Sequence, residues 1–184
     1  MTLTLSGIGP STGNTISLAS GHNLHQEGKV IQTVYVRSDT RGAYTANNVG
    51  DGTAITPLRL TITPQRADSW IWLRWTVFYE MHHDTVFLVH QNGSLIGYNT
   101  YSGNVRHSGI LTPLYDNDYN STPQNSTINW FVRAGSTTSR FYDLAVRSSS
   151  RGVYTFTLNR CNGSTGTDGY EVGVSFGFAR EISG

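Results

Sequence analysis

The segment Ser69–Glu80 is the densest run of apolar residues in the chain, and it restricts the fold more than any other feature. Its side chains alternate at a period of two, which is typical of a β-strand, and the run is too short and too charged to span a membrane. One face of the predicted strand carries Ile71, Leu73, Trp75, Val77 and Tyr79. The other face carries Trp70, Trp72, Arg74, Thr76, Phe78 and Glu80. We expect this second, mixed face to be covered by a partner subunit or by a loop of the same chain.

Short alternating or apolar runs bounded by turn residues continue to the end of the chain, which predicts an all-β domain. No segment keeps a helical spacing over ten or more residues, so we predict no helix. Asn92-Gly93 between two apolar runs predicts a hairpin with a type I′ turn. The predicted strands are Val30–Arg37, Leu58–Thr63, Trp70–Glu80, Val86–His90, Leu95–Tyr98, Thr127–Arg133, Phe141–Arg147, Tyr154–Leu158 and Glu171–Ala179.

Three long connections separate these strands: Ser38–Thr56, Asn99–Gln124 and Asn162–Gly169. Connections of this length often form binding or subunit-contact loops, and sometimes only surface. Tyrosine is enriched at interfaces and can stack on sugars, so the middle connection is a candidate ligand-facing loop. Its tyrosines, with the one just before it, are Tyr98, Tyr101, Tyr115 and Tyr119.

The 184 residues fit one domain with a substantial core, preceded by a segment rich in Ser, Thr and Gly. We divide the chain into an extended N-terminal arm, residues 1–27, and a β-domain, residues 28–184. Cys161 is the only cysteine, which excludes an intrachain disulfide. The N-terminus has no secretory signal pattern, so we expect synthesis in a cytosol. Without secretion, the four Asn-x-Ser/Thr sequons are expected to be turn-forming residues rather than glycosylation sites.

A net charge of +1 and a charged fraction of 14% give no basic stripe, so we expect no nucleic-acid partner and no membrane. The basic residues are twelve arginines and Lys29 alone. Arginine makes planar, bidentate and stacking contacts, so this bias weakly favours interfaces.

Catalytic and metal-binding patterns are weak. Side chains at His82 and His83 of an extended chain point to opposite faces, so we expect no zinc site there, even with Asp84 and His90 nearby. The run Asp116–Asn120 imitates the start of a calcium loop, but the glycine and glutamate that complete such a loop are missing. No hydrolase motif, phosphate loop or dinucleotide fingerprint occurs, and nothing pairs Asp116, Asp118 or Asp143 as glycosidase carboxylates. We expect a binding or structural protein, not an enzyme, without cofactor or metal.

Several short motifs, in order along the chain, resemble a domain of tailed-phage virion proteins, especially those of aquatic and cyanobacterial phages. The resemblance covers about Gly28 to Ile182 and rests on the collinearity of its motifs. They are Gly28–Val34, Leu60–Pro64, Phe87–Val89, Ser94–Gly97, Phe141–Ser148, Leu158–Arg160 and Arg180–Ile182.

The resemblance implies a jelly-roll-like antiparallel β-sandwich that forms a homotrimer on a virion. Members of this family sit at tail-fibre tips or decorate capsids, and the chain shows no coiled coil or shaft before Gly28. A 27-residue arm could reach roughly 90 Å at about 3.3 Å per residue. We therefore expect a capsid decoration, or cement, protein on the outer capsid surface, with the major capsid protein as its partner. The expected capsid-binding residues of the arm are Leu3, Leu5, Ile8, Ile16 and Leu18.

The alternative is a receptor-binding protein on a tail-fibre shaft, with the tyrosine-rich loop recognising a host surface glycan. In either case the aromatic outer side of the central strand is the candidate trimer interface. Its residues are Trp70, Trp72, Arg74 and Phe78.

Overall fold

The computed structural model describes residues 27–98, 106–115, 120–163 and 171–184. Within these ranges the chain forms eleven strands and one short 3-10 turn, Thr56–Leu58, and no α-helix. The strands are β1 (Val30–Ser38), β2 (Gly42–Ala46), β3 (Thr53–Ala54), β4 (Leu60–Ile62), β5 (Trp70–Met81), β6 (Thr85–Gln91), β7 (Ser94–Gly97), β8 (Gln124–Arg133), β9 (Arg140–Ser148), β10 (Tyr154–Leu158) and β11 (Ser175–Ile182). The predicted all-β class is confirmed.

Sheet A is built around β5. Strand β8 pairs with one edge of β5 from Trp70 to Tyr79. On the opposite edge, β11 pairs with Trp70 to Thr76 and β10 with Tyr79 to Met81, so β11 and β10 lie end to end. Strands β1 and β2 pair with β11 and β10 in turn. Sheet A therefore has four rows. Two are the single strands β5 and β8, and two are interrupted, β1 with β2 and β11 with β10.

Sheet B has the same four-row form. Strand β9 pairs with β6 on one edge and with β3 and β4 on the other, and β7 extends the sheet beyond β6. If the eight rows are numbered along the chain, sheet A has the order 1-8-3-6 and sheet B the order 2-7-4-5. Successive rows lie in opposite sheets, except for the hairpin of rows 4 and 5, β6 and β7. This is the jelly-roll arrangement, so the predicted jelly-roll-like sandwich is confirmed.

The core lies between the two sheets, and the inner face of β5 fills its centre. Ile71, Leu73, Trp75, Val77 and Tyr79 are all completely buried, as the alternation predicted. The indole N–H of Trp75 donates to the carbonyl of Leu58 at 2.9 Å, which satisfies the one polar atom that burial of this ring would otherwise strand.

A buried polar network fills the gap where β1 meets β2 and β10 meets β11. The Asn159 side-chain amide donates to the carbonyls of Ser38 and Thr40 at 2.8 and 3.0 Å. Its oxygen accepts from the hydroxyl of Ser175 at 2.6 Å, and that hydroxyl accepts the Phe78 amide at 2.9 Å. Asn159 has a φ of 58°, a conformation that asparagine adopts more readily than most residues. The network replaces the ladder bonds that both rows lose at the break.

Most predicted strands lie within a few residues of their observed positions, and the hairpin turn has the positive φ angles expected, 50° at Asn92 and 84° at Gly93. The prediction that Ser38–Thr56 is only a connection is wrong, because it contains β2 and β3. Both are short, and β2 has a single large apolar residue, Tyr44, so neither shows a clear alternation. The last strand begins at Ser175 rather than Glu171.

Candidate functional site

The side of sheet A that faces away from sheet B carries a continuous aromatic and cationic surface. Residues directly paired in an antiparallel sheet point to the same face, so the register defines its members. Arg180 pairs with Trp72, which pairs with Phe131. The outer aromatic face consists of Tyr35, Trp70, Trp72, Phe131, Phe176 and Phe178, together with Arg37, Arg74, Arg133 and Arg180.

Ring contacts hold the centre of the outer aromatic face in one arrangement. Trp72 stacks on Phe131 with centroids 5.7 Å apart and meets the edge of Phe178 at 5.2 Å. The guanidinium of Arg180 lies 4.3 Å from the centre of the Phe178 ring, and that of Arg133 lies 3.9 Å from the centre of Trp70. Each such contact contributes about 0.5 to 1.5 kcal/mol, so the surface is pre-organised before anything binds to it.

Much of this aromatic area remains open to solvent. Phe131 is 53% exposed, Phe176 is 50% exposed and Trp70 is 37% exposed. A pit of about 340 Å³ opens between Trp70, Phe131 and Ile182. Exposed apolar patches of this kind commonly mark interaction surfaces.

The charges of the outer aromatic face all have one sign. It presents four arginines, and no solvent-exposed aspartate or glutamate points outward from the described parts of β1, β11, β5 and β8. Asp39 contacts Arg37 at 3.5 Å only at the rim, beyond the end of β1. The surface therefore fits a partner that offers carboxylates or carbonyl oxygens, and it repels a second copy of itself.

Phe78 does not belong to this surface, although the sequence predicted it beside Trp70 and Trp72. It lies six residues beyond Trp72, about 20 Å along the strand at about 3.3 Å per residue. The backbone at Gly173 covers its ring so closely that a Cβ there would lie 2.3 Å from a ring carbon. Phe78 is thus covered by a segment of its own chain. This is the second of the two possibilities given for the mixed face, a partner subunit or a loop of the same chain.

Glu80, at the end of the same predicted face, is fully buried under two loops. Its carboxylate accepts the amide of Thr122 at 2.7 Å and the amide of Asn162 at 2.6 Å. These bonds fasten the backbone at Thr122 and at Asn162 to the end of β5. The role of Glu80 is structural.

A second candidate site is a cleft of about 490 Å³ at one end of the sandwich. The turn between β5 and β6 forms one wall, and the segment 106–115 forms the opposite wall. Tyr115, from the predicted ligand-facing loop, lines this cleft and is 80% exposed. Hydroxyl groups and an ion pair between Arg106 and Asp84 lie within reach of the same space.

The prediction that His82 and His83 point to opposite faces is wrong. They lie in a turn between two strands, and their rings stack with centroids 4.0 Å apart and a tilt of 31°. Together with Asp84 they place one possible ligand atom each within 4.8 Å of the others. An ion held between the two facing rings would lie outside the ring planes, where imidazole has no lone pair. Chelation by both histidines would require the rings to move apart.

Two other buried side chains have structural partners. Asp143, considered as a glycosidase carboxylate, accepts two hydrogen bonds from Arg59, both at 2.8 Å. Burial raises the pKa of the Cys161 thiol, which opposes formation of the reactive thiolate. Neither has the free, activated atom that catalysis requires.

Several predicted site residues lie outside the described residues, namely Leu3, Leu5, Ile8, Ile16, Leu18, Tyr101 and Tyr119, and so do Asp116 and Asp118. Tyr98 is 40% exposed, but it does not line the cleft with Tyr115. Sequence reasoning missed Phe131, Phe176, Phe178 and Arg180. The alternation in β8 and β11 could have shown them, since Phe131 alternates with Arg133 in β8, and Phe176, Phe178 and Arg180 occupy alternate positions in β11.

The chain matches no known protein-family model, and a search of curated proteins finds no match either. None of the helical segments in the described ranges is long and apolar enough to cross a bilayer.

Proposed function

We propose that this protein is a virion structural protein, a homotrimeric capsid decoration protein that binds and stabilises the outer shell through its N-terminal arm. The resemblance to tailed-phage virion domains and the jelly-roll sandwich support this proposal. The sandwich forms the trimer and the arm makes the shell contact. The arm residues that anchor it are Leu3, Leu5, Ile8, Ile16 and Leu18.

The observation that carries the proposal is the outer aromatic face. Subunit interfaces are enriched in aromatic residues and arginine and depleted in acidic residues and lysine, as this surface is. Trp72, held between Phe131 and Phe178, is its most constrained large side chain. We place Trp72 at the centre of the subunit contact.

The uniform positive charge of the face argues against one symmetry of the contact. In a twofold dimer the same patch meets itself, so arginine would oppose arginine. In a cyclic trimer each patch meets a different surface of the next subunit, so carbonyl or carboxylate groups can face the arginines. A cyclic ring such as the proposed trimer therefore suits this surface better than a twofold dimer.

Three arms on one trimer would strengthen a weak shell contact. Once one arm is bound, the others act at a high effective concentration, and avidity can exceed single-arm affinity by about 10² to 10⁴. A short apolar arm can then hold a decoration protein on the shell without a large docking surface.

Deletion of Met1–Ser20 tests the arm. We expect the shortened protein to remain a folded trimer by mass and circular dichroism, and to lose co-sedimentation with undecorated capsids. Leu3→Ala with Leu5→Ala should weaken binding in the same direction, while Thr2→Ala with Thr4→Ala serves as the matched control. Capsid binding that is unchanged by the deletion would show that the arm does not hold the protein on the shell.

A receptor-binding protein at a tail-fibre tip is the second candidate function, and the exposed Tyr115 beside the Arg106–Asp84 pair favours it. An aromatic ring next to paired hydrogen-bonding groups is a suitable surface for a sugar. This function predicts that the isolated protein adsorbs to host cells and that Tyr115→Ala removes adsorption. Electron microscopy of intact virions separates the two functions, since density at capsid symmetry axes supports decoration and density at the tail end supports the receptor-binding protein.

A further inference from the structure

Four aromatic rings contact one another in a row at the mouth of the cleft, and we call this row the stack. Tyr154 of β10 stacks on His82 with centroids 3.8 Å apart and a tilt of 5°. The ring centroids of His82 and His83 lie 4.0 Å apart at a tilt of 31°, and those of His83 and Tyr115 lie 4.0 Å apart at a tilt of 39°. The two outer rings come from different parts of the chain, so the two histidines join the segment 106–115 to the sandwich.

An ion pair reinforces this junction. Arg106 donates to the carboxylate of Asp84, which also accepts from the Tyr154 hydroxyl at 3.4 Å. The amide of Asp84 donates to Nδ1 of His82 at 3.0 Å. The titratable or charged groups that face the stack from the turn, the segment and β10 are His82, His83, Asp84, Arg106, His107, Tyr115 and Tyr154.

We propose that this stack is an acid-sensitive clamp, which holds the segment 106–115 against the sandwich at neutral pH and releases its outer part when both histidines are protonated. The proposal rests only on these described contacts, so it stands or fails independently of the capsid and receptor functions.

The stack tolerates one proton better than two. A single imidazolium next to Asp84 and a tyrosine face gains from an opposite charge and a cation–π contact. A second proton places two positive charges in adjacent rings whose centroids are 4.0 Å apart. Protonation of both rings therefore puts like charges in contact and weakens the stack.

The hydrogen bond to His82 adds to this effect. A proton on Nδ1 removes the acceptor of the Asp84 amide, so protonation there breaks a bond within the turn. Burial, and then the neighbouring His83, lower the pKa of His82, while Asp84 acts in the opposite direction. A histidine with a lowered pKa stabilises the folded arrangement at neutral pH, and this contribution is lost as the pH falls.

The segment is attached to the sandwich at two places, which makes the release local. The amide of His107 donates to the carbonyl of Ser149 at 2.9 Å, close to the stack. Farther along, Ile110 and Leu111 exchange backbone hydrogen bonds with Phe87 of β6 at 2.8 and 2.9 Å. When the stack opens, the His107 bond is lost first and the bonds to Phe87 remain.

Hydrogen exchange measured by NMR on the intact chain tests the clamp. The amides of His107 and Ile110 are compared between about pH 7.5 and about pH 5, after correction for intrinsic exchange rates. In the wild-type protein we expect protection at His107 to fall about tenfold or more and protection at Ile110 to change less than about twofold. Unchanged protection at His107 would overturn the proposal.

Two variants identify the groups responsible. His83→Phe keeps an aromatic ring in the stack but cannot take a proton, so protection at His107 should become nearly independent of pH over this range. Asp84→Asn removes the counter-charge, so the opening should move to higher pH. If His83→Phe shows the full wild-type pH dependence, the histidine pair is not the switch. If His107 and Ile110 lose protection together in the wild type, the opening is global and the clamp is refuted.

Discussion

The two faces of β5 carry similar aromatic residues but have different surroundings. Trp75 on the inner face is completely buried, whereas Trp72 on the outer face is half-buried and, among the described residues, packs on Phe131 and Phe178 of its own sheet. Folding alone accounts for the inner face. Ring contacts order the outer face but leave Phe131 and Phe176 about half exposed, which is why we propose that it joins subunits.

The largest expected difference between the faces is in the free energy of unfolding. Trp75→Ala should destabilise the protein by about 3 to 5 kcal/mol, because it removes a large side chain from a packed core and strands the carbonyl of Leu58. Trp72→Ala should cost about 1 kcal/mol, since it removes two ring contacts at a half-exposed site. Urea unfolding measured below the association concentration gives both values. Equal costs would remove the distinction between the faces.

Glu181 shows that an inner position can be polar if it is fully bonded. Its buried carboxylate accepts from Gln32 at 2.6 Å, from the hydroxyl of Ser69 at 2.7 Å and from the amide of Arg66 at 2.9 Å. Glu181→Gln should lower the free energy of unfolding by about 2 to 3 kcal/mol. One of the two accepting oxygens of the carboxylate becomes an NH₂ group, which cannot accept a hydrogen bond. Glu27→Gln, at an exposed glutamate, is the matched control and should have almost no effect.

The same residue gives the protein a dependence on acid. Burial alone raises the pKa of Glu181, but the hydrogen bonds from Gln32, Gln65, Ser69 and Arg66 together outweigh it and leave the pKa below its ordinary value. A carboxylate whose pKa is lowered by folding stabilises the protein above its unfolded pKa, and this stability is lost as the pH falls through the folded pKa. Unfolding measured at decreasing pH should show a steeper loss for wild type than for Glu181→Gln. Parallel curves would contradict this role.

At Asn159, where the rows of sheet A are interrupted, stability should depend more on backbone conformation than it does on either face of β5. Asn159→Ala should lower the free energy of unfolding by about 1 to 3 kcal/mol, because it leaves the carbonyls of Ser38 and Thr40 without their donor. Asn159→Gly loses the same bonds but adopts the positive φ easily, so it should be more stable than the alanine variant by about 1 kcal/mol. Thermal unfolding of the two variants isolates the backbone contribution. If the order is reversed, the strain assigned to this position is wrong.

The sequence predicted what alternation alone determines. The inner and outer sides of β5, the hairpin at Asn92-Gly93 and the absence of α-helix from the described ranges follow from a period of two and from turn chemistry. Strands β2 and β3 were missed because they are too short for a period to show. They exist because β10 and β9 offer paired edges, which is tertiary information.

The candidate sites were predicted less completely, for the same reason. Trp70 and Trp72 were assigned to the correct face, but Phe78 is covered by Gly173, nearly a hundred residues away in the chain. His82 and His83 were assigned opposite directions on the assumption of an extended chain, whereas they lie in a turn. Local patterns fix which way a strand residue points, and only the fold decides what covers it.

The central claim is that the outer aromatic face joins subunits, and native mass spectrometry of wild type, Trp72→Ala and Leu114→Ala tests it most directly. Leu114 is an exposed apolar residue away from this face, so its variant controls for loss of surface hydrophobicity. We predict that wild type and Leu114→Ala have the mass of three 20.2 kDa chains and that Trp72→Ala is a folded monomer at the same concentration. A monomeric wild-type protein, or a Trp72→Ala trimer as stable as wild type, would contradict the claim.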